Sequence, residues 1–447
     1  MVDLGLLELG YTYLNVDDCW SDATGPDGEL LEDPRVFKDG DSMGKLVEYV
    51  HSKGLLFGLY GDRGWKTCAF RPGSGGREEV HARQLAAWGV DYLKYDSCYA
   101  SNDHDVAFEQ YGAMRDALNR TGRPVLYSLC GWNSWYAPVG ASIANSWRIA
   151  ADCDEWANVY VAVRTNEALG QHASPGAFND PDMLLGSATD APAHLAPTQV
   201  QTQFSLWAVM AAPLLIGSRL RDMPPSDLAT YSNKEVIAID QDPLGVQGSV
   251  VWSNCPTYEP FDNWWNSPWS MPYDVALMWT QALLAIGTVL LTASLLGGHA
   301  AYGRPRPRGC VASFLPLSLL VLAVFSLGYI GVIWHYRPTV DACQQVWARP
   351  LQRGARALCF VNFGPAEAAV ACDGACLRAA GITAGAWAMR DVVQHRDLGV
   401  ISPSGGDLPT VTLAGDGASA LYRLEPAAES APTGGGEGAD GAEAPSA

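Results

Sequence analysis

The 447-residue sequence lacks several features that identify common protein classes. It has no stripe of clustered lysine and arginine, and its formal net charge is −19. A field of that sign repels phosphate backbones, so nucleic acid is excluded as a partner. No glycine-rich loop follows a predicted strand, which argues against a nucleotide-binding fold. The 8 histidines are scattered and no Cys/His pairs have zinc-site spacing, so neither a metal nor a cofactor is predicted.

The sequence is rich in cysteine and tryptophan instead. Eleven cysteines in a large chain favour an oxidising compartment, such as a lysosome, a vacuole or the extracellular space, and the odd number leaves at least one thiol unpaired. The 16 tryptophans are typical of a large core or of surfaces that stack on sugar rings. No basic region precedes an apolar stretch at Met1, so no signal peptide is predicted there.

Short β-rich runs alternate with helical stretches from Gly10 to about Gly217. This alternation predicts a parallel sheet with helices outside it. The predicted strands are Thr12–Val16, Leu55–Tyr60, Tyr92–Tyr95, Val125–Leu129, Ser146–Ala150, Ala177–Asn179 and Pro213–Ile216. The predicted helices include Ser42–Ser52, Glu78–Trp88 and Val106–Asn119.

Polar side chains follow almost every one of these strands. They are Asp17, Asp18, Tyr60, Asp96, Cys130, Asp152, Asn179 and Asp180. Barrels build their sites from the carboxyl ends of many strands, whereas an open doubly wound sheet uses one switch point. The pattern therefore favours a (β/α)₈ barrel over residues 1–249, with the eighth strand expected before Met1.

The remainder of the chain divides into three segments. Residues 343–425 read as a small antiparallel β-sandwich with strands at Gln345–Trp347, Ala357–Phe363, Ala386–Asp391 and Thr410–Leu424. Residues 426–447 are predicted to be a disordered tail. Residues 250–342 read as an insertion, in which 275–296 and 311–334 are uncharged and long enough to cross a bilayer. Two interpretations remain open for it: a membrane hairpin, or sequence added by imperfect gene prediction.

Two aspartates are the candidate catalytic residues. Asp96 ends a buried strand two residues after Lys94, whose charge favours an ionised carboxylate suited to a nucleophile. A purely structural Lys–Asp pair is the alternative. Asp152 follows Arg148 two strands further round the same rim, so the two carboxyl groups can oppose each other as glycoside hydrolysis requires. The residues alone do not choose between retention and inversion.

Further acidic residues lie at other strand ends. Asp17 and Asp18 repel each other unless partners donate hydrogen bonds to them, and sugar hydroxyls are suitable donors. A Ca²⁺ site or a helix cap is the alternative. The loop that holds Asp182 carries the same ambiguity.

Several long motifs in one order give the chain a family resemblance. They are Gly10–Trp20, Leu56–Asp62, Tyr92–Tyr99, Ser146–Asp152, Asn179–Met183 and Gln241–Gly245, with weaker similarity at Val346–Leu351 and Trp387–Asp391. On these stretches the chain resembles glycoside hydrolase family 27, the α-galactosidases and α-N-acetylgalactosaminidases, over nearly its whole length except 250–342 and the tail.

The resemblance implies a function and a set of roles. It implies hydrolysis of terminal α-D-galactosyl groups through a galactosyl-aspartate intermediate, with Asp96 as nucleophile, Asp152 as acid/base and no cofactor. It implies that the substrate contacts are Asp17, Asp18, Tyr60, Lys94, Cys130, Gly131, Arg148 and Asp182. It also implies a Cys68–Cys98 disulfide, a glycan at Asn119 and a secretory route.

Departures from the family pattern motivate the alternatives. The first barrel strand is expected before Met1, and without it the chain could be a catalytically impaired, membrane-tethered galactose-binding homologue. Gly131 stands where many relatives have Glu or Asn beside the sugar 2-position, which suggests α-N-acetylgalactosaminidase activity. Membrane association through 275–334 and a homodimer are the further partners considered.

Overall fold

The fold is taken from a computed structural model that describes residues 1–259, 339–383, 385–403, 408 and 410–427. Two compact units are present. The first includes Met1–Asn166 and Asn179–Asp182, and the second includes Glu167–Phe178, Met183–Thr257 and the described residues from Asp341 onward. The apolar runs at 275–296 and 311–334, and the tail beyond residue 427, lie outside the described residues. Within the described ranges, no helix has the length and apolar character to span a membrane.

A six-stranded parallel sheet forms the centre of the first unit. The strands in chain order are β1 (Tyr13–Val16), β2 (Ser21–Thr24), β3 (Leu30–Glu32), β4 (Leu56–Asp62), β5 (Tyr92–Asp96), β6 (Leu126–Leu129), β7 (Ser146–Arg148) and β8 (Phe178–Asp180). Within the sheet the order is β1-β4-β5-β6-β7-β8, while β2 and β3 form a separate hairpin. This order, with each new strand added at the same edge, is the one that a barrel requires.

Helices occupy the connections between these strands. They are α1 (Met43–Ser52), α2 (Glu78–Trp88), α3 (His104–Thr121), α4 (Ala137–Ile143) and α5 (Trp156–Asn166). Short polar side chains start two of them, since Ser42 and Asp103 accept hydrogen bonds from backbone N–H groups of the first turn. Gly89 and Gly122 end two of them in the left-handed conformation. The predicted α/β barrel class is confirmed.

One predicted barrel strand is wrong. Pro213–Ile216 contributes only an isolated parallel bridge between Leu184 and Ile216. Pro213 has no backbone N–H to donate, and the N–H of Leu215 bonds locally to the Pro213 carbonyl at 3.1 Å. The segment therefore lacks the donors for a regular ladder. The β2–β3 hairpin was not predicted, because its strands are short and mostly exposed.

The described part of the second unit combines three helices that precede the strands with an antiparallel sheet. The helices are α6 (Pro197–Met210), α7 (Pro225–Tyr231) and α8 (Lys234–Asp240). The strands, with one further helix α9 (Gly374–Ala379), are β9 (Ser249–Ser253), β10 (Gln344–Pro350), β11 (Arg356–Asn362), β12 (Ala368–Val370), β13 (Trp387–Asp391), β14 (Arg396–Ile401), β15 (Val411–Leu413) and β16 (Ala418–Pro426). The main sheet has the order β14-β13-β16-β11-β10-β9, and β12 pairs with β15. The predicted antiparallel sandwich is confirmed.

The sheet begins earlier than the sequence suggested. All of strand β9 except Ser249 lies in the range predicted as an insertion, yet the strand pairs antiparallel with β10. A Cys255–Cys343 disulfide joins the chain on the two sides of residues 256–342. The core of this unit is apolar and drawn from alternate strand positions, including Val346, Leu358, Phe360, Met389 and Leu424.

Close packing of α4 on β7 generates a stability prediction. A Cβ atom on Gly140 would lie 2.2 Å from the fully buried ring of Trp147. We expect Gly140→Ala to lower the free energy of unfolding by about 1–3 kcal/mol, because the ring has no room to move. The measurement is urea unfolding followed by circular dichroism.

Gly112 of α3 is the matched control. Its added Cβ would meet nothing nearer than an Arg115 nitrogen at 3.7 Å. Gly112→Ala is therefore expected to raise stability by up to about 1 kcal/mol, since alanine favours the helix. Equal stability of the two variants would contradict the packing argument.

Candidate active site

The register of the parallel sheet brings polar side chains into two layers. Tyr60, Lys94, Ser128 and Ser146 lie opposite one another across β4, β5, β6 and β7. Side chains two residues apart on a strand point to the same face. The next layer, at the carboxyl ends, therefore holds Asp62, Asp96, Cys130 and Arg148. Asp62 and Asp96 are direct partners in the register.

Asp96 is buried and held by two hydrogen bonds. The Ser97 backbone N–H donates to Oδ1 at 2.8 Å, and the Tyr60 hydroxyl donates to Oδ2 at 2.8 Å. A disulfide joins Cys68 to Cys98, the pair that the family resemblance implies. Its Cys68 sulfur lies 3.5 Å from Asp96 Oδ2. The carboxylate is thus fixed in orientation on more than one side.

The pKa of Asp96 reflects burial more than its neighbouring cation. Desolvation raises this pKa to about 6, while the charge of Lys94 opposes the rise and the charge of Asp152 adds to it. The effect of Lys94 thus has the direction that the sequence argument gave it. Burial outweighs this effect, because Asp96 is almost fully removed from water and Lys94 also has a second carboxylate to neutralise.

The second carboxylate is Asp17. Lys94 Nζ lies 2.8 Å from Asp17 Oδ2 and 5.3 Å from the centre of the Tyr60 ring. Asp18 has a different partner, since its Oδ2 accepts a hydrogen bond from the Ala69 backbone N–H at 2.9 Å. The two adjacent carboxylates therefore have separate partners: Asp17 pairs with a cation, and Asp18 accepts from a backbone amide. They do not converge on one point. This arrangement does not resemble a Ca²⁺ site.

Arg148 connects Asp152 with Asp182. Its buried guanidinium is 2.9 Å from an oxygen of each carboxylate, through Nη2 and Nη1 respectively. The Asp182 side chain is 3% exposed, whereas that of Asp152 is 74% exposed. Asp152 therefore stands at the open side of the cluster with one oxygen on Arg148.

The pKa values of these two carboxyl groups move in opposite directions. Partial desolvation at the rim of the cluster would raise the pKa of Asp152, but the charges of Arg148 and Lys94 outweigh it and leave the pKa below its usual value. Burial raises the pKa of Asp182 to about 6 despite the opposing charge of Arg148. Without a ligand, Asp152 is thus the more acidic member of the Asp96–Asp152 pair.

Cys130 and Gly131 follow β6. The Cys130 thiol is 3.8 Å from Arg148 Nη1, and burial raises its pKa well above the usual value, so it is neutral. A Cβ atom on Gly131 would lie 1.9 Å from the ring of Tyr136. Tyr136 therefore fills the space that a side chain at position 131 would occupy. The next residue, Trp132, has a left-handed backbone with φ of 58°.

Two contributors to the site were not found from the sequence. One is Tyr136, and the other is Asp62, whose carboxylate accepts hydrogen bonds from Gly64 N at 2.7 Å and Cys98 N at 2.9 Å. Asp62 thus ties together the loops that follow β4 and β5. The available signal was an acid two residues after Tyr60 at the same strand end, the spacing that also relates Asp96 to Lys94.

A metal is not assigned to this cluster. Ligand atoms of Asp62, Cys68, Asp96 and Cys98 lie within 4.8 Å of one another. The two sulfurs are joined to each other in the disulfide, so neither is a thiolate that could bind a cation.

A cleft of about 550 Å³ lies at the opposite, amino-terminal ends of the strands. Its charged residues Asp91 and Arg123 pair with each other at 2.5 Å, and Asp91 also accepts a hydrogen bond from His51 at 2.7 Å. The candidate catalytic residues do not line it. We therefore assign the chemistry to the carboxyl ends.

Comparison with known families assigns this arrangement. Residues 1–242 match the family model described as alpha galactosidase A. The chain belongs to the alpha-galactosidase A family. Residues 341–424 match a second model, the alpha-galactosidase C-terminal beta sandwich domain. Together the two matches correspond to the parallel-sheet and antiparallel-sheet parts of the alpha-galactosidase A fold described above.

Individual members of the family align with part of this chain. Alpha-galactosidase 3 of Arabidopsis thaliana is 41% identical over 289 residues, which cover 63% of this chain and 63% of the relative. Alpha-galactosidase 2 of Saccharomyces cerevisiae is 38% identical over 284 residues, covering 56% and 58%. The chain thus spans less than two thirds of the length of either relative.

Solved structures share the fold. An α-galactosidase of Saccharomyces cerevisiae determined with raffinose has a TM-score of 0.68 at 24% identity, covering 95% of this chain and 92% of that chain. α-Galactosidase I of Mortierella vinacea has a TM-score of 0.69 at 23% identity, covering 96% and 91%.

The proximity of Asp96 and Asp152 generates a titration prediction. We expect Asp152→Asn to lower the pKa of Asp96 below about 6, because a like charge that opposes ionisation is removed. The measurement is carbon NMR titration of aspartate-labelled protein, with the Asp96 signal identified by its loss in Asp96→Asn.

The matched control is Asp116→Asn. Asp116 pairs with its neighbour Arg115 on α3 and is expected to leave the Asp96 titration unchanged. An Asp96 pKa that stays constant or rises in Asp152→Asn would show that the two groups do not interact as described.

Proposed function

We propose that this chain is a retaining α-galactosidase that hydrolyses terminal, non-reducing α-D-galactosyl groups of oligosaccharides or glycoconjugates. The observation that carries the proposal is the pairing of a buried, fixed carboxylate, Asp96, with an exposed carboxylate, Asp152, at the carboxyl ends of one parallel sheet. The 41% identity to an Arabidopsis α-galactosidase supports the choice of sugar. The raffinose bound by the yeast enzyme supports an oligosaccharide as substrate.

In the first step Asp96 acts as the nucleophile. A carboxylate oxygen of Asp96 forms a bond to the anomeric carbon as the glycosidic C–O bond breaks, and the leaving oxygen takes a proton from Asp152. The hydrogen bonds from Tyr60 and Ser97 hold Asp96 in position for this attack. Lys94 supplies positive charge near Asp96, and Arg148 supplies it at Asp152.

Asp152 must be protonated before that step, although Arg148 favours its ionised form. Substrate binding raises the pKa of Asp152 in two ways. The sugar covers a side chain that is 74% exposed, and desolvation raises the pKa of a carboxyl group. Ionised Asp96 also disfavours a second negative charge nearby, since coupled sites influence each other reciprocally.

The second step reverses these roles. Once Asp96 is esterified its charge is gone, so the pKa of Asp152 falls and Arg148 stabilises the carboxylate. Asp152 then removes a proton from water as the water oxygen attacks the anomeric carbon, and Asp96 leaves as a carboxylate. Loss of one charge thus converts the acid into the base.

A single-residue substitution tests the proposal. Asp96→Asn is expected to reduce kcat for nitrophenyl α-galactoside by at least about a thousandfold, because the nucleophile is lost. Asp116→Asn is the matched control, and we expect its kcat to equal that of the wild type. Proton NMR of the wild-type reaction should show α-galactose as the first product.

Other outcomes separate the alternatives. β-Galactose as the first product would indicate inversion and contradict the aspartyl intermediate. A wild-type chain that binds galactose without hydrolysing any α-galactoside would instead be the catalytically impaired binding homologue.

The structure gives a reason to prefer galactose over N-acetylgalactosamine. The alternative was motivated by the absence at Gly131 of the Glu or Asn side chain that many relatives carry, but the Tyr136 ring fills the space that such a side chain would occupy. We therefore expect kcat/KM for nitrophenyl α-galactoside to exceed that for its 2-acetamido analogue by at least about tenfold. A larger rate on the 2-acetamido substrate would contradict this specificity.

We also propose that the protein acts in an oxidising compartment of the secretory pathway. Three disulfides support this, at Cys68–Cys98, Cys255–Cys343 and Cys372–Cys376. The acceptor Asn119 is exposed in the last turn of α3, where a glycan could be attached.

A further inference from the structure

An exposed aromatic cluster lies beside the candidate active site. It consists of Trp65 and Phe70, which are 66% and 62% exposed, and of the half-buried Tyr99 between them. The ring centres of Trp65 and Tyr99 are 5.4 Å apart, and those of Phe70 and Tyr99 are 5.3 Å apart. A cluster of large aromatic side chains exposed to solvent is typical of a binding surface.

A short hairpin carries two of these rings. Lys66 pairs with Pro72, and the N–H groups of Thr67 and Phe70 bond to the carbonyls of Arg71 and Thr67 respectively, both at 2.9 Å. Phe70 forms the tip with a φ of 63°. Tyr99, in the loop after β5, has a φ of 51°. Left-handed backbone at two non-glycine residues costs energy and is typical of ligand-binding segments.

The hairpin is anchored at several points. The Cys68–Cys98 disulfide ties it to the loop that bears Tyr99. Arg71 Nη1 and Nη2 lie 2.5 Å from Asp22 and 3.2 Å from Asp33, which attaches the hairpin to the β2–β3 segment. The rings therefore stand on a braced support, and their exposure does not result from a loose loop.

The same hairpin forms part of the candidate active site. The Cys68 sulfur is 3.5 Å from Asp96 Oδ2, and the Ala69 N–H donates to Asp18. Cys68 and Ala69 lie between Trp65 and Phe70 in the sequence. One side of the hairpin thus contacts the residues assigned to galactose, while its aromatic side remains open to solvent next to them.

We propose that Trp65, Phe70 and Tyr99 form a stacking platform for the sugar units on the leaving-group side of the scissile bond. This inference rests on the proposed function, and it adds an oligosaccharide subsite outside the galactose pocket. Sugar rings present apolar C–H faces that pack on aromatic faces. The Trp65–Tyr99 contact is edge-on, with ring planes at 69°, so ring surface stays available for such packing.

A second protein chain is a poorer occupant. Trp65 and Phe70 together expose roughly 300 Å² of apolar side chain, taking about 200–250 Å² for each ring system. A stable protein interface needs about 800 Å² on each partner. One or two hexose rings match the smaller area.

Kinetics with two substrates test the platform on the full-length protein. We expect Trp65→Ala/Phe70→Ala to lower the ratio of kcat/KM for an α-galactosyl trisaccharide to kcat/KM for α-galactosyl fluoride by about tenfold or more. The fluoride has no sugar on the leaving side, so the ratio isolates the subsite. Trp65→Phe should restore most of the Trp65→Ala loss, and Tyr49→Ala, on an equally exposed ring of α1, is the control.

An unchanged ratio in the double variant would overturn the platform while the proposed function stands. An equal loss on both substrates would also overturn it, since that result indicates a structural role for the hairpin.

A second experiment measures sugar binding without catalysis. Calorimetry measures the Kd of a hexose oligosaccharide that carries no galactose for two variants. One is Asp96→Asn, and the other carries Asp96→Asn together with Trp65→Ala and Phe70→Ala. We expect the Kd of the single variant to be at least tenfold lower than that of the triple variant. Equal Kd values would contradict the platform. Self-association that is lost in the double variant, without any effect on sugar binding, would assign the surface to a second copy instead.

Discussion

The register between β4 and β5 is the constraint on which the site depends. Tyr60 lies opposite Lys94 and Asp62 lies opposite Asp96, so one strand supplies the groups that fix the carboxylate of the other. A slip of one strand by one residue would turn both of its site side chains to the other face of the sheet. Burial of Tyr95, Leu93 and Leu59 on these strands makes such a slip costly. Packing therefore sets the chemistry at the carboxyl ends.

Burial and charge oppose each other throughout the cluster. Asp62, Asp96 and Asp182 are carboxyl groups removed from water, and each is compensated by N–H or O–H donors or by an arginine. Asp152 differs from them, because it is exposed and paired with Arg148. This asymmetry suits the proposed roles, in which Asp96 is a fixed nucleophile and Asp152 exchanges protons with substrate and water. It also makes the state of Asp152 sensitive to whether a sugar covers it.

The hairpin and the loop joined by the Cys68–Cys98 disulfide contact the candidate active site and also carry the exposed aromatic cluster. Asp62 accepts hydrogen bonds from Gly64 and Cys98 in the loops that follow β4 and β5, and Cys68 lies against Asp96, the proposed nucleophile. The same brace keeps Trp65 and Phe70 exposed. A rigid support is useful on both sides, since the catalytic carboxylate needs a fixed geometry and a stacking surface binds better when it is ordered in advance.

The sequence by itself determined the order of elements, the candidate pair Asp96 and Asp152, and the family. Six of the seven predicted barrel strands are present, because buried strands and amphipathic helices leave periodic patterns along the chain. The sequence did not determine how burial, charge and packing act together on each side chain of the site. The pKa of Asp96 depends on burial, the space at Gly131 is taken by Tyr136, and Arg148 is shared by two aspartates. Each of these results comes from atoms that are distant in the chain, so only the tertiary structure decided them.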